Sequence, residues 1–190
     1  MTEVALLVNP VAGRGRAGRL VGPVIERLRA GGIVVRQVVG RDRADASALA
    51  RAAVAAGVSA VVAVGGDGTV HAAIQAVADS PTPLGIIPAG TGNDIAAALD
   101  LPADQMAAVD IVLTAAVRAV DVVRCGPCWW AGVLGTGFDS AVNERANTLR
   151  WPRGPTPLRA RHPGRAASVP ATGLRPPPHS FTHAVVVVGT

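Results

Sequence analysis

The chain has 190 residues, 49% of them hydrophobic and 16% charged, which is enough apolar sequence for one ordinary domain with a buried core. All 18 basic residues are Arg, and without Lys the phosphate-binding loop GxxxxGK[ST] is excluded. The net charge of +5 arises in residues 145–190, which hold seven Arg and no Asp or Glu, so the rest of the chain is nearly neutral and we expect no nucleic-acid partner.

Short apolar segments alternate with longer Ala-rich segments along the chain, which predicts strands joined by helices. The predicted strands are residues 4–8, 33–39, 59–64 and 84–87. The predicted helices are residues 17–30, 45–56, 94–99 and 103–116, together with a helix that follows the third strand and ends near residue 79. Asp45 is the predicted cap of the second helix. Buried strands with helical crossovers indicate an α/β fold, with a parallel sheet covered by helices on both faces.

Two further apolar segments, residues 120–124 and 129–134, flank the sequence Cys125-Gly126-Pro127-Cys128. The Cys spacing is typical of a redox site, but a reactive thiol of that kind needs a helix N-terminus to lower its pKa. Gly126 and Pro127 instead predict the turn of a β-hairpin. We therefore predict no redox role for the two Cys residues.

Three polar or Gly-rich loops follow predicted strands, and in a parallel sheet they meet at one edge, where ligands bind. These loops are residues 9–15 (NPVAGRG), residues 65–69 (GGDGT) and residues 90–94 (GTGND). Glycine lets backbone N–H groups approach a phosphate, and the helix after each loop presents its positive end there. Thr69 and Thr91 can donate hydroxyl hydrogen bonds to phosphate oxygens. Asp67 suits Mg²⁺, which prefers oxygen ligands and retains waters.

GGDGT after a buried strand resembles the superfamily of diacylglycerol kinases, sphingosine kinases, NAD kinases and phosphofructokinases. The NPVAGRG and GTGND loops narrow the resemblance to bacterial lipid kinases of the diacylglycerol kinase family, and residues 132–147 and 151–154 are also similar to actinobacterial members.

The resemblance implies a kinase that uses ATP and Mg²⁺ to phosphorylate a lipid hydroxyl, with Asp67 as catalytic residue and metal ligand, directly or through water. It implies that these residues bind the nucleotide: Asn9, Gly13, Gly65, Gly66, Asp67, Gly68, Thr69, Gly90, Thr91, Asn93 and Asp94.

The sequence departs from the family pattern after GGDGT, where many members carry Glu and then Asn. His71 and Gln75 are four residues apart on one predicted helix face and either line the site or lie on a solvated face. Two other functions stay open: a NAD kinase, which the NPVAGRG and GTGND loops disfavour, and a non-catalytic nucleotide-binding fragment.

The composition changes near Trp151, which divides the chain into a nucleotide-binding catalytic domain (residues 1–150), a Pro/Arg-rich segment (151–180) and a strand (181–190) that we interpret as the remnant of a second domain. In the family, a β-rich second domain supplies the carboxylate that deprotonates the acceptor hydroxyl. Because no Asp or Glu follows Glu144, we expect that domain to be missing or only begun, and the chain to be truncated and inactive alone.

The Pro/Arg-rich segment has two interpretations. When residues 156–172 are back-translated into codons and the reading frame is shifted by one base, the new frame can encode an amphipathic helix. That helix is similar to what family members carry at this place, which favours a frameshift or sequencing error. The alternative is a genuine Pro-rich basic linker that lies on anionic lipid.

No signal-peptide pattern opens the chain, and its longest uncharged apolar run is too short to span a membrane. We expect a cytoplasmic protein that meets its lipid substrate at the inner face of the plasma membrane. The sequence does not identify the acceptor lipid, and it leaves open whether the chain forms a homo-oligomer.

Overall fold

A computed structural model describes residues 2–131 and 180–187. Its strands are β1 (Glu3–Val8), β2 (Val34–Val39), β3 (Ala60–Gly65), β4 (Leu84–Pro88), β5 (Val117–Cys125), β6 (Cys128–Trp130) and β7 (Ser180–Val187). Its helices are α1 (Ala12–Ala30), α2 (Arg43–Ala55), α3 (Asp67–Val77), α4 (Asp94–Ala98) and α5 (Gln105–Thr114). The predicted α/β fold with a parallel sheet is confirmed.

The described strands form one sheet in the order β2-β1-β3-β4-β7-β5-β6. The first four strands and β7 run parallel, whereas β5 is antiparallel to β7 and to β6. Helices α1, α2 and α3 join the first four strands, so the carboxyl ends of β1, β3 and β4 lie side by side at one edge.

The core lies on both faces of the sheet because β1, β3 and β4 are buried on both sides. On one face Leu6, Val62 and Ile87 pack with α1 and α5, and on the other Leu7 and Val61 pack with α2 and α3. This two-sided burial explains why these strands are continuous apolar runs without alternation.

The predicted start and cap of α2 were wrong, whereas the predicted start of α1 agrees with where its regular helix begins. Helix α2 begins at Arg43, and its cap is Asp42, whose Oδ1 accepts a hydrogen bond from the backbone N–H of Asp45. Asp45 is instead paired with Arg41. Helix α1 includes residues 12–15, but Gly13, Arg14 and Gly15 have left-handed dihedral angles, so regular helix follows Gly15.

The strand expected at residues 181–190 is β7, which pairs with β4 and β5 inside the sheet. The predicted domain boundaries, the resemblance of residues 132–147 and 151–154, and both interpretations of residues 151–180 concern a segment outside the described residues. They stay predictions.

Candidate functional site

The three Gly-rich loops lie at the carboxyl ends of β1, β3 and β4, as the sequence predicted. Their spacing is set by the backbone. A Cβ on Gly90 would fall on the Cα of Gly66, and a Cβ on Gly13 would fall on the carbonyl oxygen of Ala89. Each of the three loops therefore touches a neighbour at a point where only glycine fits.

The first loop contains three consecutive residues in the left-handed region: Gly13 (φ 59°), Arg14 (φ 60°) and Gly15 (φ 81°). Arg14 is not a glycine, so its backbone stores strain of about 1–3 kcal/mol, a feature that concentrates at functional sites. Asn9 fixes the start of the turn, because its Oδ1 accepts from the backbone N–H of Val11 and its carbonyl accepts from Ala12.

Both oxygens of the Asp67 carboxylate accept backbone hydrogen bonds, one from the third loop and one from the first turn of α4. The N–H of Asn93 donates to Oδ2 at 3.0 Å, and the N–H of Ile95 donates to Oδ1 at 2.9 Å. The carboxylate thus lies at the start of α4, where helix N–H groups lack intrahelical partners. Asp67 joins the second loop to the third, a role that its sequence motif alone did not reveal.

Asn93 shapes the third loop from within. Its backbone is left-handed (φ 64°), and its side-chain amide makes two bonds with Gly90, accepting from the N–H at 2.8 Å and donating to the carbonyl at 3.2 Å. Asp94 and Thr91 are exposed at the same edge.

Thr69 is buried, with 6% exposure, and its Oγ1 has no hydrogen-bond partner among the described residues. The hydroxyl lies against Gly65, where any Cβ would collide with it. A buried hydroxyl without a partner needs an explanation, such as a bound water or anion.

Helix α3 begins at this edge. Its first backbone N–H groups, on Asp67 and Gly68, have no intrahelical partner and carry the positive end of the helix dipole. Gly68 is exposed, so an anion can approach the helix start.

His71 and Gln75 do not lie on a solvated face, because both side chains contact β6. The Gln75 amide pairs with the backbone of Trp129 in β6, accepting from its N–H at 2.9 Å and donating to its carbonyl at 2.6 Å. The His71 ring contacts the ring of Trp130 at 4.6 Å between centroids. Both side chains therefore attach α3 to the predicted Cys hairpin, which is present: Cys125 pairs with Cys128 across a turn where Gly126 has φ 61°.

Burial lowers the pKa of His71 from its ordinary value of 6.5, and the positive charge of Arg43 lowers it further. Arg43 is exposed at the start of α2, and its Nη2 lies 3.8 Å from the position of a Cβ on Gly68. Sequence reasoning missed this Arg because the loop between β2 and α2 lacks a Gly-rich motif, although it ends at the same edge.

Among residues 2–131 and 180–187, no group of three or more His, Cys, Asp or Glu side chains can hold a metal ion. The carboxylates of Asp67 and Asp94, which both lie within 4 Å of the Cβ position of Gly92, still fit Mg²⁺, because that ion keeps waters and is bound by one or two carboxylates together with phosphate oxygens.

Comparison with known proteins agrees with this geometry. Residues 3–125 match the family described as the diacylglycerol kinase catalytic domain. The chain belongs to that family. The resemblance drawn from GGDGT and GTGND is thereby confirmed.

Similar proteins carry the same family name. A diacylglycerol kinase of Mycobacterium tuberculosis is 45% identical over 158 residues, covering 80% of this chain and 51% of that protein. One of Staphylococcus saprophyticus is 32% identical over 153 residues, covering 79% of this chain and 50% of that protein. A crystal structure of a diacylglycerol kinase from Bacillus anthracis superposes with a TM-score of 0.60 at 27% identity, covering 68% of this chain and 48% of that one. The chain thus spans about half the length of these diacylglycerol kinases.

No helix in the described part of the chain combines the length and apolarity needed to cross a membrane.

Proposed function

We propose that this chain binds Mg-ATP at the edge formed by its three Gly-rich loops, as the nucleotide-binding part of a lipid kinase that phosphorylates a lipid hydroxyl such as that of diacylglycerol. The observation that carries the proposal is the backbone contact of Gly66 with Gly90 and of Gly13 with Ala89. Those contacts leave no room for side chains between the loops, which suits a surface that holds phosphates through backbone N–H groups.

In this proposal the residues of the chain hold the phosphates of the nucleotide in position. The N–H groups of Asp67 and Gly68 receive a phosphate at the start of α3, and the Thr69 hydroxyl donates to the same group. Asn93 and the Asp67 carboxylate hold the third loop against the second. The Asp67 carboxylate, through water, and the phosphate oxygens would hold Mg²⁺, which would supply charge neutralisation when bound.

We further propose that residues 1–190 bind nucleotide without detectable transfer to lipid. The central carboxylate, that of Asp67, already accepts two N–H groups, and residues 145–190 contain no Asp or Glu to deprotonate an acceptor. A positioned base contributes about 10²–10⁴-fold, and orientation of the acceptor supplies about 7–11 kcal/mol.

The test has two measurements on the purified 190-residue chain. Calorimetry with ATP and Mg²⁺ should show binding, and absence of binding would contradict the nucleotide site. Incubation with labelled ATP and micellar diacylglycerol or sphingosine should yield no labelled phospholipid. Labelled phospholipid would show that the chain supplies its own acceptor base, and phosphorylation of NAD would assign it to a different substrate class.

A further inference from the structure

Arg43 lies beside the proposed phosphate site without being part of any motif. It is the first residue of α2, and its guanidinium reaches the first turn of α3, close to Gly68 and within electrostatic range of His71. This places a permanent positive charge next to the helix start that carries the free N–H groups of Asp67 and Gly68.

The neighbouring carboxylates have other partners. Asp42 accepts the N–H of Asp45, and Asp45 is bound by the backbone and side chain of Arg41. The Asp67 carboxylate accepts hydrogen bonds from the backbone N–H groups of Asn93 and Ile95. Within the described residues Arg43 makes no ion pair, and its side chain is exposed. An unpaired guanidinium beside a helix N-terminus can accept an anion without breaking an existing salt bridge.

A second observation points to a ligand at the same place. The Thr69 hydroxyl, one residue after Gly68, is buried and unpartnered in the described part of the chain. A phosphate at this helix start would give it an acceptor and would lie within reach of a long, flexible side chain such as Arg43. The chain also has no Lys, so any permanently cationic side chain at its phosphate site has to be Arg.

We propose that Arg43 binds the outer phosphates of the nucleotide over the first turn of α3 and so makes the site prefer a triphosphate to a monophosphate. This inference rests on the proposed nucleotide site and adds a specificity-determining residue to it. Arg is suited to the role because its planar guanidinium donates two parallel hydrogen bonds to a phosphate and stays charged at all physiological pH values.

The experiment compares the unsubstituted chain with Arg43→Gln by calorimetry, using ATP, AMP and inorganic tripolyphosphate with Mg²⁺. We expect Arg43→Gln to weaken ATP and tripolyphosphate binding about ten- to a hundredfold, the range for loss of a hydrogen bond to a charged group, with little change for AMP. Binding of ATP should also become less sensitive to salt, because one fewer charge contact is screened.

The matched control is Arg41→Gln, which removes an exposed Arg of the same loop that is already paired with Asp45. It should keep the preference for ATP. Melting temperatures without nucleotide should be the same for Arg43→Gln and the unsubstituted chain. Equal weakening of ATP and AMP, or unchanged ATP affinity in Arg43→Gln, would overturn the assignment of Arg43 alone. Failure of the unsubstituted chain to bind any nucleotide would overturn the proposed function as well.

Discussion

The backbone N–H of Asn93 donates to Oδ2 of Asp67 at 3.0 Å, although the two residues lie on loops that follow different strands. With the bond from Ile95 to Oδ1, this contact ties the start of α3 to the start of α4. The Asp67 carboxylate therefore stabilises the relative position of two Gly-rich loops.

We predict that Asp67→Ala abolishes Mg-ATP binding and lowers the free energy of unfolding by about 2–4 kcal/mol, because two hydrogen bonds to a charged acceptor are lost. Calorimetry and urea denaturation measure the two effects. Asp104→Ala is the control, since it removes a carboxylate cap from α5 without touching the three loops. It should lower stability by about 1 kcal/mol and leave binding intact. Unchanged binding in Asp67→Ala would contradict the role given to this residue.

Gly90→Ala should separate the second and third loops, because its methyl group would meet the Cα of Gly66, a backbone atom that cannot rotate away. We expect a melting temperature lower by several degrees and loss of nucleotide binding. Gly22→Ala is the matched substitution, since a Cβ there meets nothing within 4 Å. It should leave nucleotide binding intact and change the free energy of unfolding by less than about 1 kcal/mol, because the helix propensity gained with Ala is opposed by crowding of its Cβ against Pro23. An unchanged melting temperature in Gly90→Ala would mean that the two loops are not packed as described.

Gln75→Leu should release the β6 strand from α3, since it leaves the N–H and carbonyl of Trp129 without their side-chain partners. The expected cost is about 2–3 kcal/mol, with a red shift of Trp fluorescence as β6 becomes more exposed to water. Gln37→Ala, on an exposed position of β2, should change neither quantity. A fluorescence spectrum identical to that of the unsubstituted chain would count against the Gln75 contact.

His71 should make the protein less stable in mild acid. Its pKa in the folded protein is below 6.5, so between that pKa and 6.5 the unfolded chain binds more protons than the folded one. This part of the stability is present above pH 6.5 and is lost as the pH falls from 6.5 through the lower pKa of His71 in the folded protein. Thermal melts from pH 8 to pH 5 should show the loss in the unsubstituted chain, and a smaller loss in His71→Gln. Parallel pH curves for the two proteins would refute the prediction.

The sequence predicted where the three Gly-rich loops lie, because buried apolar strands followed by glycine turns place their carboxyl ends at one edge. It did not predict what Asp67, His71 and Gln75 contact. Those partners, such as Asn93 and Trp129, are remote along the chain, and only the completed sheet brings them close. Asp45 was misassigned because Asp42 and Asp45 are equally good caps in sequence, and the structure selects Asp42.

The position of β7 has a consequence for how the protein is made. Leu84 of β4 pairs with Val186 of β7, about a hundred residues later in the chain, and β7 in turn carries β5 and its hairpin. As the polypeptide leaves the ribosome, β1 to β4 can assemble with their helices. The backbone edge of β4 that pairs with β7 stays without its partner until β7 has been synthesised. Until then a sheet edge stays open to other nascent chains, so we expect yield in cells to depend on chaperones that protect such edges.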